Sequence, residues 1–207
     1  MNELQYLQSP PQLAGILRRT ADLNFATALE PGTGALLRML AASKPCGHML
    51  ELGTGTGIAT AWLLSGMDAE STLVTVDADA NMQQVAREAL GAEPRLKFMV
   101  EDTATFIRRL APASFDLVFA SALPAKYDVV DEVLALVKPG GYYVIDDMLP
   151  QPGWTDGLAE KVPTLMARLA ADERFDLVPM VWASGVVVAV RQPASVPSAA
   201  KSSAAKS

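Results

Sequence analysis

The stretch "ELGTGTGIAT", residues 51–60, decides how this chain is read. Glycine and threonine alternate through Gly53, Thr54, Gly55, Thr56 and Gly57. Glycines at this spacing let a backbone pass close under a ligand and turn tightly into a helix. The run "HMLEL" before it reads as a strand and "IATAWLLSG" after it as a helix. A glycine turn between a strand and a helix is where an open α/β sheet binds its ligand, beyond the carboxyl end of the first strand. Position 58 is Ile, so the dinucleotide fingerprint G-x-G-x-x-G is not met and a pyrophosphate cradle is disfavoured.

Outward from this loop the same alternation repeats. "TLVTVDA" is followed by "ANMQQVAREAL", "LKFMVED" by "TATFIRRLA", and "FDLVFAS" by "YDVVDEVLALV" and then "GYYVIDDM". Strands alternating with helices of this length imply βαβ units and a parallel sheet covered on both faces. After a helical stretch near 156–171, "FDLVPMVW" and "GVVVAVR" are separated by only Ala183, Ser184 and Gly185, so they must pair antiparallel. The expected fold is α/β: a doubly wound, seven-stranded, mostly parallel Rossmann-like sheet closed by a C-terminal antiparallel hairpin.

Residues 1–191 read as one domain. Its N-terminal part, 1–44, is helical, and "GALLRMLAAS" places Leu36, Leu37 and Leu40 at core-facing spacing. The segment 192–207, "QPASVPSAAKSSAAKS", has almost nothing to bury and is expected to be a disordered tail.

Half of the 207 residues are hydrophobic, enough for a full core, and the formal net charge is −6. An acidic chain lacks the basic face that neutralises phosphates, so a nucleic-acid partner is disfavoured. The one cysteine, Cys46, excludes an internal disulfide and reads as a turn residue. The N-terminal stretch has no signal-peptide pattern and no apolar run approaches the ~20 residues that span a bilayer, so a soluble cytoplasmic protein with no membrane partner is expected.

Two further strand ends carry acids. Asp77 closes the second strand in "TVDAD", where a carboxylate accepts hydrogen bonds from two ribose hydroxyls. Asp102 closes the third in "MVEDTATF", placed to accept from an adenine amine. The competing reading for such positions, and for Asp79 and Thr103 in particular, is a helix cap. Taken in order, the loop and the two acids describe a nucleoside site with no phosphate requirement.

With these motifs the chain resembles the class I S-adenosylmethionine-dependent methyltransferases, over roughly residues 26–191. "LEPGTGALLRML" and "KPGGYYVIDDML" make it similar to the small O-methyltransferases of the catechol and caffeoyl-CoA type. The resemblance implies that Glu51, Gly53, Thr54, Gly55 and Gly57 line the methionine end of S-adenosylmethionine. It puts Asp77 with Ala78 at the ribose, Asp102 with Thr103 at the adenine, and Ser121 near the sulfonium. It also implies a homodimer and a small-molecule acceptor. Metal-dependent members hold a divalent ion such as Mg²⁺ with an acid after strand four and an acidic pair after strand five. Here Asp146 and Asp147 match the pair, but Ser121 stands at the first acid and Pro124 where a catalytic lysine is carried. The resemblance therefore implies half of a metal site. Two carboxylates and a hydroxyl leave weak Mg²⁺ binding open. The alternative makes Asp146 a general base, with Tyr127 or Lys126 orienting the acceptor. Lys126 itself reads more simply as a solvated lysine at a helix start, Trp154 as packing, and His48 as structural. An RNA methyltransferase on the same fold and a non-catalytic S-adenosylmethionine binder are the competing functions.

Overall fold

A computed structural model describes residues 3–23, 29–151 and 154–193. The expected tail lies outside the described residues except for Gln192 and Pro193. Seven strands form one sheet: β1 (His48–Leu52), β2 (Thr72–Asp77), β3 (Leu96–Val100), β4 (Phe115–Ala120), β5 (Val137–Ile145), β6 (Phe175–Met180) and β7 (Val186–Arg191). Their order is β3-β2-β1-β4-β5-β7-β6. The first five pair in parallel, and β7 is antiparallel to both β5 and β6, as the alternation and the short final loop require. The hairpin loop is longer than its sequence suggests, because β6 stops at Met180 and releases Val181 and Trp182 into the turn.

The helices are α1 (Leu13–Asp22), α2 (Pro31–Ala42), α3 (Ile58–Gly66), α4 (Ala80–Leu90), α5 (Thr103–Arg108), α6 (Val130–Leu136) and α7 (Leu158–Ala170). One core face carries Leu50, Leu52, Val118, Tyr143 and Ile145 against Phe106, Val133 and Leu165. The other carries Met49, Leu117, Phe119 and Val144 against Ile16, Leu37, Trp62 and Val85. Central strands covered on both faces read as near-continuous apolar runs, which is why β4 and the end of β5 contain no alternation. Leu36 and Leu40 pack beside the buried Leu37, as their spacing predicts.

The chain reverses at the switch point between β1 and α3. Gly53, Gly55 and Gly57 all have left-handed backbones, at φ 106°, 51° and 91°. A Cβ on Gly57 would lie 2.6 Å from the Ala86 Cβ of α4. Gly57→Ala therefore adds a left-handed penalty to an overpacked contact and should destabilise the protein by about 2 to 4 kcal/mol. Urea unfolding of the variant checks this, and an unchanged midpoint would mean that the loop can relax.

Candidate active site

The site assembles at the carboxyl ends of β1, β2, β4 and β5. The glycine loop is pinned to β2 by hydrogen bonds from the Gly53 N–H to the Val76 carbonyl (2.9 Å) and from the Gly55 N–H to the Asp77 carboxylate (2.7 Å). The second Asp77 oxygen accepts from the Asp79 N–H at 2.9 Å. A carboxylate offers about four lone-pair directions, so Asp77 retains acceptor capacity at the mouth, with Ala78 exposed beside it. Asp79 caps α4 through the N–H groups of Asn81 and Met82. Asp102 caps α5, accepting from both the N–H and the hydroxyl of Thr105 through one oxygen, while Thr103 is buried behind it. These bonds hold the Asp102 carboxyl below its usual range. The capping reading thus applies to both Asp79 and Asp102.

Beneath the loop lies a buried polar network that sequence reasoning missed. Glu51 is fully buried, and one of its oxygens accepts from the hydroxyls of Thr60 on α3 and Thr75 on β2, both at 2.6 Å. Thr75 continues to the Thr54 hydroxyl (2.6 Å), which also accepts from the Gln83 amide at 3.0 Å. The Thr54 side chain thus points into the network, leaving its backbone for the loop. The other Glu51 oxygen has no hydrogen-bond partner among the described residues. The signal was present: an acid inside a buried parallel strand has to find donors or take up a proton. From α1, the Thr20 hydroxyl donates to Thr56 at 2.8 Å, so an N-terminal helix is tied to the loop as well.

Across the sheet end, Ser121 turns its hydroxyl toward the Gly53 carbonyl at 3.1 Å. Asp146 is buried and accepts from the Ser184 hydroxyl at 2.6 Å, a partner delivered by the β6–β7 loop. Burial pushes its carboxyl above the usual range, against the opposing pull of Ser184 and Lys126. Asp147 has a left-handed backbone (φ 59°) and accepts from the Trp154 indole N–H at 3.0 Å, so Trp154 is a partner of the pair and not packing alone.

The solvated Lys126 expected from the sequence is wrong. Residues Pro124–Asp128 form a π-turn in which Ala125 and Lys126 are the buried residues. The lysine is 1% exposed and its ammonium donates to the Asp146 carbonyl oxygen at 3.1 Å. Burial holds it below the usual lysine range, opposed by the charges of Asp147 and Asp146. Tyr127, next in the turn, has a buried hydroxyl with no hydrogen-bond partner among the described residues, and burial raises it with help from Asp147. Tyr127 also borders a groove of about 630 Å³ together with Asp128, Gly157, Lys161 and Thr164. His48 lies at the opposite end of β1, bonded to Thr72.

These residues do not fit a divalent ion. A serine hydroxyl committed to Gly53 stands in the first acid's place, both carboxylates of the pair already accept from neutral donors, and an ammonium lies beside them. Among the described residues no three His, Cys, Asp or Glu side chains gather as ligands, and no helix is long and apolar enough to cross a membrane.

Residues 49–141 match a methyltransferase domain family. A protein of Mycobacterium tuberculosis strain H37Rv, named "Probable O-methyltransferase", is 36% identical over 189 residues, covering 86% of this chain and 84% of that one. An O-methyltransferase of Bacillus cereus, solved in complex with SAH, is similar in fold at a TM-score of 0.78 and 20% identity, covering 90% of this chain and 93% of that one. An O-methyltransferase of Streptomyces achromogenes, solved with SAM, gives 0.76 at 21% identity, covering 90% and 92%.

Glu51 contributes a pH dependence to stability. Burial raises its carboxyl from 4.5 to about 8, so between those values the folded chain keeps a proton that the unfolded chain has released. Stability from this group therefore falls as pH rises through that window, at about 1.4 kcal/mol per pH unit, and levels off above it. Glu51→Gln should flatten the slope and be relatively more stable at the alkaline end. Unfolding midpoints of both proteins across the window measure it, and an identical slope would assign the effect to another group.

Proposed function

The chain belongs to the S-adenosylmethionine-dependent O-methyltransferases, and we propose that it methylates a hydroxyl of a small acceptor by using Asp146 as a general base, without a divalent ion. The observation that carries this reading is the environment of Asp146: a buried carboxyl, pushed above its usual range and held by Ser184 at the strand end facing the glycine loop. A carboxylate with raised proton affinity is suited to take a proton near neutral pH. The loop, whose glycines lack side chains, and Asp77, with free acceptor capacity, fit the nucleoside of the cofactor.

When bound, S-adenosylmethionine supplies a methyl group on a sulfonium that is open to in-line attack. The protein contributes placement, which accounts for much of the acceleration in such a displacement. Asp77 would hold the ribose hydroxyls, and the Asp102 oxygen not used in the cap would accept from the adenine amine. Gly53, Gly55 and the Ser121 end of β4 would line the methionine end. Asp146 would take the proton that the acceptor hydroxyl gives up as its oxygen is methylated, with S-adenosylhomocysteine as the leaving group. Tyr127, whose buried hydroxyl has no hydrogen-bond partner among the described residues and feels the charge of Asp147, would orient the acceptor beside the acidic pair. The helices of residues 1–44 close the cofactor side, through contacts such as Thr20 with Thr56.

Calorimetry with S-adenosylhomocysteine should give micromolar binding, ~7 to 9 kcal/mol. Asp77→Ala should weaken it by about 1 to 3 kcal/mol, because the ribose hydroxyls lose their acceptor. Heat with NAD and none with S-adenosylhomocysteine would sink the cofactor reading. On a panel of hydroxylated aromatic acceptors, Asp146→Asn should lower turnover by about 10² to 10⁴ and leave S-adenosylhomocysteine binding intact. Full activity in that variant would remove Asp146 as the base.

A cytoplasmic homodimer completes the proposal. It rests on the subfamily resemblance and on Val178 and Val181 at the β6 edge, which are 60% and 88% exposed. Light scattering should return twice the chain mass, and a monomer at micromolar protein would refute it.

A further inference from the structure

The lysine that the π-turn folds inward is the feature the methyl-transfer reading leaves over. Lys126 has a long, flexible cationic side chain, the kind least often found fully buried without paired charge. Its ammonium lies against the Asp146 carbonyl, with the charges of Asp146 and Asp147 both acting on it. The other neighbours of the pair, Ser184 and the Trp154 indole, are neutral donors.

We propose that Lys126 is a built-in counter-ion that takes the electrostatic place of a divalent metal at the Asp146–Asp147 pair and excludes one from it. The inference rests on this strand end being the methyl-transfer site, but its test does not. Charge decides the matter. Two carboxylates would leave a divalent ion just neutralised. With an ammonium already present the pair has a net charge of only −1, too little to offset stripping water from a small, strongly hydrated cation. Ser121 adds no charge, and its hydroxyl is committed to the glycine loop. Lys126 acts through Asp146, so it is a positioning residue: it fixes the carbonyl and charge of the strand end as a coordinated ion otherwise would.

Two features of the turn make the placement specific. The Lys126 N–H bonds back to the Ala122 carbonyl at 3.2 Å, and the Val129 N–H closes the wide turn on the Pro124 carbonyl at 3.2 Å.

The test is titration of the apo-protein with Mn²⁺, followed by the electron paramagnetic resonance signal of the free ion. Wild type should leave that signal unchanged at millimolar Mn²⁺. Lys126→Met, an isosteric neutral change, should bind one Mn²⁺ per chain in competition with Mg²⁺, and adding Asp147→Asn should abolish that binding. Should Lys126→Met fail to fold, Lys126→Gln keeps a donor for the Asp146 carbonyl and is titrated instead. Stoichiometric Mn²⁺ binding by wild type that Asp147→Asn removes would overturn the proposal. So would a folded Lys126 variant that still ignores the ion. Folding and the cofactor reading are followed separately by S-adenosylhomocysteine calorimetry on the same samples, so failure of one idea is distinguishable from failure of the other.

Discussion

The close approach of the glycine loop to the end of β4 is the constraint from which the site follows. A Cβ on Gly53 would lie 2.5 Å from the Ser121 hydroxyl and 2.8 Å from the Ala122 nitrogen. The N–H groups of Ser121 and Ala122 both bond to the Leu52 carbonyl, at 3.0 and 2.9 Å, so β1 and β4 are joined up to the point where the loop turns away. Only a residue without a side chain passes through that gap, and only a left-handed backbone then points the loop toward Asp77. A bulkier loop would stand off from β4.

Polar groups beneath this loop hold it without solvent. Glu51, Thr60, Thr75, Thr54 and Gln83 link β1, α3, β2 and α4 in one run of hydrogen bonds. In a low-dielectric interior such a network is strong when satisfied and costly when broken. A proton on Glu51 is what makes it tolerable, which puts the rigidity of the loop and the protonation of one buried acid in the same linkage.

The sheet was legible because its signals are local and repeated: glycine turns at strand ends, apolar runs of strand length, and a final loop too short for a crossover. The turn of the glycine loop into α3 was legible for the same reason. Lys126 was not, because "PAKYD" carries no mark that distinguishes a π-turn from the start of an α-helix, and one residue of phase separates a solvated lysine from a buried one. Ser184 was hidden by distance in sequence; at Asp102 the sequence offers a cap and a ligand acceptor alike, since the carboxylate that caps a helix is chemically the same as one that meets a ligand, and the structure shows the cap. The Glu51 network was signalled only by its acid; the threonines that satisfy it look like ordinary strand and helix residues.

The partners that set the chemistry of Asp146 come from 20 and 38 residues away, Lys126 on one side and Ser184 on the other. Neither would reach it without elements that look merely architectural. The hairpin brings Ser184 because the Met148 and Leu149 N–H groups bond to the Gly185 and Ser184 carbonyls, at 3.0 and 2.8 Å. Gly185 is left-handed there, and a Cβ on it would lie 2.6 Å from the Leu149 nitrogen, so the loop tip docks with no side chain between. The antiparallel pairing of β7 with β5 thus does more than close the sheet. It sets the register that places one hydroxyl on a buried carboxylate, while the turn after β4 carries the lysine whose ammonium lies beside it. Removing either group would leave Asp146 with its burial and with less to compensate it, and a buried carboxyl in that condition takes up a proton.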